Sequence, residues 1–224
     1  MNKIYYFLAA GLVCLLIPML LMGRWKQIKW YKTILIALIG TVIGVAGTYL
    51  WFWVEKGRFG GYSFFGSVFA VPLAFALIFW MFREKYGDIM DLCASAECSM
   101  HAVMRIHCYI SGCCGGRELF VTESGKSVVF PSQFVELANG LVILAILMVW
   151  ARRKRFAGVL YPCFMVMYGV TRFLLNFLRS HGSETILGMP EGNAWSLLSI
   201  IIGAVWLLIV WKKNPKLFSK QKTT

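Results

Sequence analysis

The chain has 224 residues, of which 59% are hydrophobic and only 15% charged, against the roughly 25% charged residues of an average soluble domain. With a mean hydropathy of +0.68, a soluble globular protein is excluded. The formal charge of +13 is assigned to basic helix ends that orient a membrane protein and meet anionic lipid heads, not to a nucleic-acid surface. The expectation is an all-α, polytopic membrane protein of about seven helices, with residues 1–224 forming a single transmembrane domain.

The first apolar run covers residues 5–22. It resembles a signal peptide with Lys3 as its charged region, but no small-residue cleavage site follows: Pro18 and Met19 run on to Met22 and Arg24. A retained helix is expected. Further runs cover 33–54, 63–82, 134–150, 157–178 and 195–211, each broadly long enough for a hydrocarbon core of about 30 Å. Residues 89–110 hold Asp91, Glu97, His101, Arg105 and His107, so hydropathy scores them poorly.

Charge places that stretch as the fourth of seven spans. The loops then alternate, and one side receives 15 of the 23 Lys and Arg residues. They are Arg24, Lys26, Lys29 and Lys32; Arg83 and Lys85; Arg152, Arg153, Lys154 and Arg155; and Lys212, Lys213, Lys216, Lys220 and Lys222. The other side receives six: Lys3, Lys56, Arg58, Arg117, Lys126 and Arg179. Because cytoplasmic loops carry the positive excess, the amino terminus is expected outside and the carboxy terminus inside. Without the fourth span, Arg152 to Arg155 would move outside and the asymmetry would fail.

Two arginines, Arg105 and Arg172, remain inside proposed spans, where an ionisable side chain is unfavourable by about 2.5–3.5 kcal/mol and is functional by default. After Arg105 come Ser111, Gly112, Gly115 and Gly116, which break the helix and let backbone N–H groups approach an anion. Arg105 and Arg117 add forked donors suited to phosphate. For Arg117 the plainer alternative is a side chain snorkelling from a helix end. Arg172 and Asn176 are four apart and share a helix face; their alternatives are a lipid phosphate or a structural pairing with Glu136 or Asp91. Between these segments, Pro131 and Ser132 form a helix start with Ser132 as its cap, Gln133 just inside and Glu136 in the first turn.

The chain has seven cysteines. Cys14 and Cys163 read as packing residues in apolar helices. Cys93, Cys98, Cys108, Cys113 and Cys114 lie close together, with His101 and His107 among them. Their spacing fits no closed zinc pattern, so no metal is assigned and no cofactor is called for. Neighbouring Cys113 and Cys114 cannot form an ordinary disulfide without strain. They read first as small residues filling a tight turn; a thiol role for Cys108, Cys113 or Cys114, as nucleophile or carrier, is the alternative.

Together these segments resemble the prolipoprotein diacylglyceryl transferase family, as a short variant with a G-C-C segment. Gly60-Gly61-Tyr62-Ser63-Phe64-Phe65-Gly66 looks like G-G-x-S-F-H-G-G. The stretch from Arg105 to Arg117 looks like the signature G-R-I-G-N-F-I-N-G-E-x-x-G-R. Pro131-Ser132-Gln133-Phe134-Val135-Glu136 looks like H-P-T-Q-L-Y-E. Tyr168-Gly169-Val170-Thr171-Arg172-Phe173 matches Y-G-x-x-R-F. Trp195-Ser196-Leu197-Leu198 lies where the family has Q-x-x-S, with Asn193 at the glutamine position. Phe65 stands at the family's histidine, Cys108 and Ser111 at asparagines, Cys113 at a glutamate, and Asn176 at a common acidic position.

The resemblance implies a multi-pass protein of the bacterial cytoplasmic (inner) membrane. It would move the diacylglyceryl group of phosphatidylglycerol to the cysteine thiol of a prolipoprotein signal peptide, with membrane lipid as its surroundings and no nucleic-acid partner. Arg105, Arg172 and His107 are expected to be catalytic, His107 in place of the missing base. Ser63, Gly116, Arg117, Gln133, Glu136, Tyr168 and Asn176 are expected to bind the phospholipid. The alternatives are a related phospholipid-dependent transferase with another acceptor, and a non-catalytic lipid-binding protein of the same fold.

Overall fold

The computed structural model describes residues 2–123, 125, 127–153, 156–179, 185–186 and 188–213, leaving aside the side chains of residues 2–10 and 185. Lys126, Lys154, Arg155, Lys216, Lys220 and Lys222 lie outside these residues. The chain is an α-helical membrane protein, and its described residues form seven long helices: α1 (Asn2–Trp25), α2 (Trp30–Lys56), α3 (Phe64–Ile78), α4 (Tyr86–Ile110), α5 (Ser132–Ala151), α6 (Leu160–Asn176) and α7 (Glu191–Lys213). A 3-10 turn, Phe79–Phe82, prolongs α3.

Among the described residues, four helical stretches are long and apolar enough to cross a membrane: α2, α3 with its 3-10 turn, α5 and α7. In α1 the residues whose side chains are described form an apolar helical stretch, Gly11–Trp25. The helix that hydropathy underrates, α4, is the central one, packed against α1, α2, α3, α5 and α6. Fifteen of its residues are buried, Asp91, Glu97, His101 and Arg105 among them. A helix wrapped by others has little lipid face to keep apolar, so polar side chains are tolerated where they find partners inside. Ser67 donates to Glu97 at 2.6 Å, and the Ser95 and Ser99 hydroxyls donate to Leu92 and Ser95 carbonyls at 2.8 Å each.

Close approach comes from small residues. A Cβ on Gly66 would lie 2.2 Å from the Gly47 carbonyl oxygen, so α2 and α3 touch backbone to backbone there. The connections meet in two groups. At one end Lys26 reaches Asp88 and Asp91, Lys32 reaches Glu84 at 2.5 Å, and Arg152 lies over the Trp25 ring. At the other, Lys56 reaches Glu191 at 2.5 Å and the Arg117 N–H donates to the Leu178 carbonyl at 3.0 Å.

Two short antiparallel hairpins depart from the all-α expectation: β1 (Glu118–Val121) with β2 (Ser127–Val129), and β3 (Thr185–Ile186) with β4 (Met189–Pro190). The first carries exposed Leu119, Phe120, Val121 and Val129.

Candidate active site

The signature segment begins inside the bundle and ends outside any helix. α4 stops at Ile110, Gly112 takes a φ of 68°, and the chain turns back so that the Cys113 N–H donates to the Cys108 carbonyl at 3.0 Å. Gly116 then bridges Arg179 in an isolated β-bridge. A Cβ at Gly116 would stand 2.1 Å from the Phe130 carbonyl oxygen, so only glycine lets this strand of chain lie against residues leading into α5.

Beneath the turn sits Glu136, almost wholly buried. Three guanidiniums from three segments close on its carboxylate. Arg105 Nε of α4 is 2.8 Å from Oε2, while Arg172 Nη1 of α6 and Arg179 Nη1 lie 2.6 and 2.5 Å from Oε1. His101 Nε2 is 3.9 Å from Oε2, with its ring packed on Phe64 and Tyr168. Three positive groups around one carboxylate leave a formal excess of two charges in a dry setting, where such an excess is unfavourable without an anion.

The alternative pairing of Arg172 with Asp91 is thereby corrected. Asp91 lies fourteen residues before Arg105 on α4, about 21 Å along the axis. It is taken by Lys26 at 2.6 Å and by the backbone N–H groups of Gly158 and Leu160 at 2.6 and 2.8 Å. Burial pushes the Lys26 ammonium down, but Asp91 and Asp88 outweigh it and hold the group above its ordinary value.

Several expected residues hold the turn. Gln133 Nε2 donates to the Cys113 carbonyl and Ser132 Oγ to the Cys114 carbonyl, both at 2.8 Å. Ser132 therefore does not cap α5, which starts without a side-chain cap. Because α5 opens at Ser132, Glu136 falls one residue past its first turn. Tyr168 is buried among Phe64, Phe65, His101 and Phe164.

Others lie apart. Ser63 donates to Glu55 at 3.0 Å. Asn176 donates to Asn193 of α7. The Arg117 side chain is exposed and reaches the Phe177 carbonyl at 3.4 Å. His107 Nε2 lies 3.4 Å from Ser111 Oγ, and the residue lines a lateral cavity. Arg179 was expected only as a loop charge; it lies past the end of α6, held by the bridge to Gly116, and no local sequence signal marks it.

That cavity has a volume of about 550 Å³ and lies between α1, α2, α3 and α4, lined by Leu15, Met19, Ile36, Val71 and Met100, with Glu97 and Tyr62 as polar points. It runs beside α4 from Cys93 to Ile110. Tyr62 joins it to the turn, its hydroxyl 3.8 Å from Cys108 Sγ. The Sγ atoms of Cys108, Cys113 and Cys114 lie within 4.8 Å of one another, and Arg105 Nη1 is 4.0 Å from Cys108 Sγ. A hydrogen bond from Cys108, with Arg179 and Arg105 nearby, draws the Cys114 thiol below its ordinary value against the effect of burial.

The sequence pattern of the prolipoprotein diacylglyceryl transferase family matches residues 4–210. The chain is similar to the phosphatidylglycerol–prolipoprotein diacylglyceryl transferase of Geobacter sulfurreducens, with 32% identity over 69% of this chain and 64% of that protein. For the Aeromonas hydrophila protein of the same name the figures are 29%, 71% and 61%; for that of Polaromonas naphthalenivorans they are 27%, 86% and 79%. The chain thus spans less than two thirds of the length of the first two. The chain belongs to the prolipoprotein diacylglyceryl transferase family.

Proposed function

We propose that the chain transfers the diacylglyceryl group of phosphatidylglycerol to the cysteine thiol of a prolipoprotein signal peptide. In this reading it is a seven-span protein of the bacterial cytoplasmic membrane, forming a single membrane domain with its amino terminus outside. The observation that carries the activity is the guanidinium excess at Glu136: Arg105, Arg172 and Arg179 against one carboxylate call for an anion of the size and geometry of a phosphate. The orientation rests on Arg24, Lys26, Lys29, Lys32, Arg83, Lys85, Arg152 and Arg153, which fall in the connections after α1, α3 and α5 or in the helix turns that border them.

The acyl chains of the donor lie in the lateral cavity, with the glyceryl group beside Tyr62 and the phosphate at the arginines. The acceptor thiolate attacks the glyceryl carbon, the carbon–oxygen bond breaks, and its electron pair stays on the phosphate oxygen as glycerol phosphate departs. The diester carries one negative charge and the leaving monoester approaches two. Fixed guanidiniums therefore interact more strongly with the transition state than with the ground state, which is what accelerates the reaction.

The test is transfer from labelled phosphatidylglycerol to a lipobox peptide by the purified chain, with complementation of a transferase-depleted bacterium beside it. Thioether formation is the expected result. A chain that binds phosphatidylglycerol but modifies no lipobox peptide would favour the second reading, a transferase with the same donor and another acceptor. That reading draws on the chain's shortness against its relatives. The charge excess speaks against a non-catalytic protein.

A further inference from the structure

We propose that Cys108, Cys113 and Cys114 form a three-thiolate site for a thiophilic divalent metal ion of the zinc class, whose open fourth position takes the acceptor thiol. The second half of this proposal rests on the transferase reading above; the first half stands on geometry alone.

Three sulfurs from two segments, the end of α4 and the turn after it, lie within 4.8 Å of one another. A zinc–sulfur bond of about 2.3 Å in tetrahedral geometry separates sulfurs by about 3.8 Å. Closing the set therefore takes about 1 Å of side-chain movement at most. The turn that presents the sulfurs is built rather than loose. Cys114 holds a φ of 59°, a left-handed conformation that glycine or asparagine adopts readily and that in other residues points to function when the surroundings enforce it. Ser132 and Gln133 enforce it by gripping the Cys114 and Cys113 carbonyls. None of these features is visible in the linear spacing, which fits no closed zinc pattern because it does not hold two separated C-x-x-C pairs. Three protein ligands and one vacant position is the arrangement of reactive zinc sites.

Charge fits as well. A divalent ion with three thiolates carries one negative charge, and a fourth thiolate makes it two. The Glu136 cluster beside it has two positive charges in excess, and Arg105 reaches from that cluster toward Cys108 Sγ. Cys108 is buried while Cys113 and Cys114 are half-buried, so the set is shielded from bulk water but reachable from the outer side of the turn.

The transfer reaction needs a thiolate, and a free thiol has a pKa near 8.5. The family's histidine is Phe65 here, His101 is enclosed by Phe64 and Tyr168, and His107 faces the cavity. Coordination deprotonates a thiol outright. On loading, the three cysteines release three protons to water; on binding, the acceptor releases a fourth. The acceptor sulfur then uses its lone pair on the glyceryl carbon as the carbon–oxygen bond breaks toward phosphate. The product is a neutral thioether, a far weaker ligand than a thiolate, so it leaves the vacant position free for the next peptide. No electron is gained or lost.

The experiment uses the full chain, purified under reducing conditions in detergent micelles, and titrated with zinc(II) and with cobalt(II) as a coloured stand-in. One ion per chain with sulfur-to-cobalt charge-transfer absorption is expected. Serine at any one of positions 108, 113 and 114 should weaken binding at least about 100-fold, beyond the roughly 10–100-fold of changes outside the ligand set, while Cys14→Ser and Cys163→Ser leave it unchanged. Elution as a single micellar species and retained phosphatidylglycerol binding show that the variants fold; chelation and reloading of the unaltered chain gives the same information without substitution. A lipobox peptide should shift the cobalt spectrum and its Cys→Ser analogue should not. Substoichiometric metal, binding that survives the triple serine variant, or full transfer activity in that variant would overturn the proposal and leave the transferase reading intact. Metal held by the three cysteines, with no spectral shift and no transfer to any lipobox peptide, would instead refute the transferase reading and with it the acceptor half of the proposal.

Discussion

Two buried carboxylates on neighbouring parts of this bundle are handled in opposite ways. Asp91, near the start of α4, accepts from Lys26 and from two backbone N–H groups, and Lys26 is shared with Asp88. The buried carboxylate is closed: one ammonium and two backbone N–H groups meet it from within, the more exposed Asp88 shares that ammonium, and the group staples α1, α4 and the start of α6. Glu136, near the other end of α4, collects three guanidiniums and cannot neutralise them. A buried carboxylate whose partners meet it from within is a fastener, whereas a cluster left with two buried positive charges in excess is a receptor for something outside the chain. Membrane depth sharpens the difference, because unmatched charge is unfavourable there.

The comparison breaks first at its hub. Glu136→Gln leaves three guanidiniums buried against a neutral amide and should destabilise the chain by about 3–5 kcal/mol, the usual loss on removing one partner of a buried ionic group. Thermal unfolding in micelles reads this, and phosphatidylglycerol should restore more stability than a zwitterionic lipid, because an anion binds only the folded cluster. Equal rescue by both lipids would mean that the arginines do not meet the phosphate.

Next come the arginines themselves. Arg105→Gln and Arg172→Lys should each lower transfer by about 10²–10³-fold, as loss of one preorganised donor does, with folded yield retained. Lysine keeps the charge but not the fork, so an Arg172→Lys chain as active as the unaltered one would defeat the phosphate clamp.

At the other end, Asp91→Asn should lower stability by about 1–3 kcal/mol without altering the turnover of the folded fraction or its preference for anionic lipid. A change in lipid preference would show that the two ends are coupled. The smallest effect is that of pH on Lys26. Its folded value is raised by Asp91 and Asp88 after the opposing effect of burial. Its contribution is therefore fully present below the ordinary lysine value of 10.5 and is lost only as pH climbs through the higher folded value. Unfolding followed from neutral pH to pH 10 should show no loss from this pair, and a decline beginning near neutrality would remove it as a fastener.

Much of the architecture was legible in the residues. Apolar runs placed six of the seven helices, and loop charge recovered α4, which hydropathy alone rejects, because helix ends carry the Lys and Arg excess. Arg105 and Arg172 stood out for the complementary reason, that a guanidinium at such depth needs a purpose. Pairing was another matter. Nothing in sequence order says that Glu136 receives Arg172 while Asp91 receives Lys26, that Arg179 folds in from its loop, or that Ser132 grips a carbonyl instead of capping α5. These contacts join residues tens of positions apart, and which partner wins depends on how the helices are arranged around α4. The cysteines show the same limit: their spacing argued against a shared site, yet a reversal of the chain at Gly112 and a left-handed Cys114 bring three sulfurs together. Local composition determined which segments form the long apolar helices, because that depends on each segment's own transfer free energy. Only the packed bundle decided which charges are closed and which are left open, because that depends on distances no linear spacing contains.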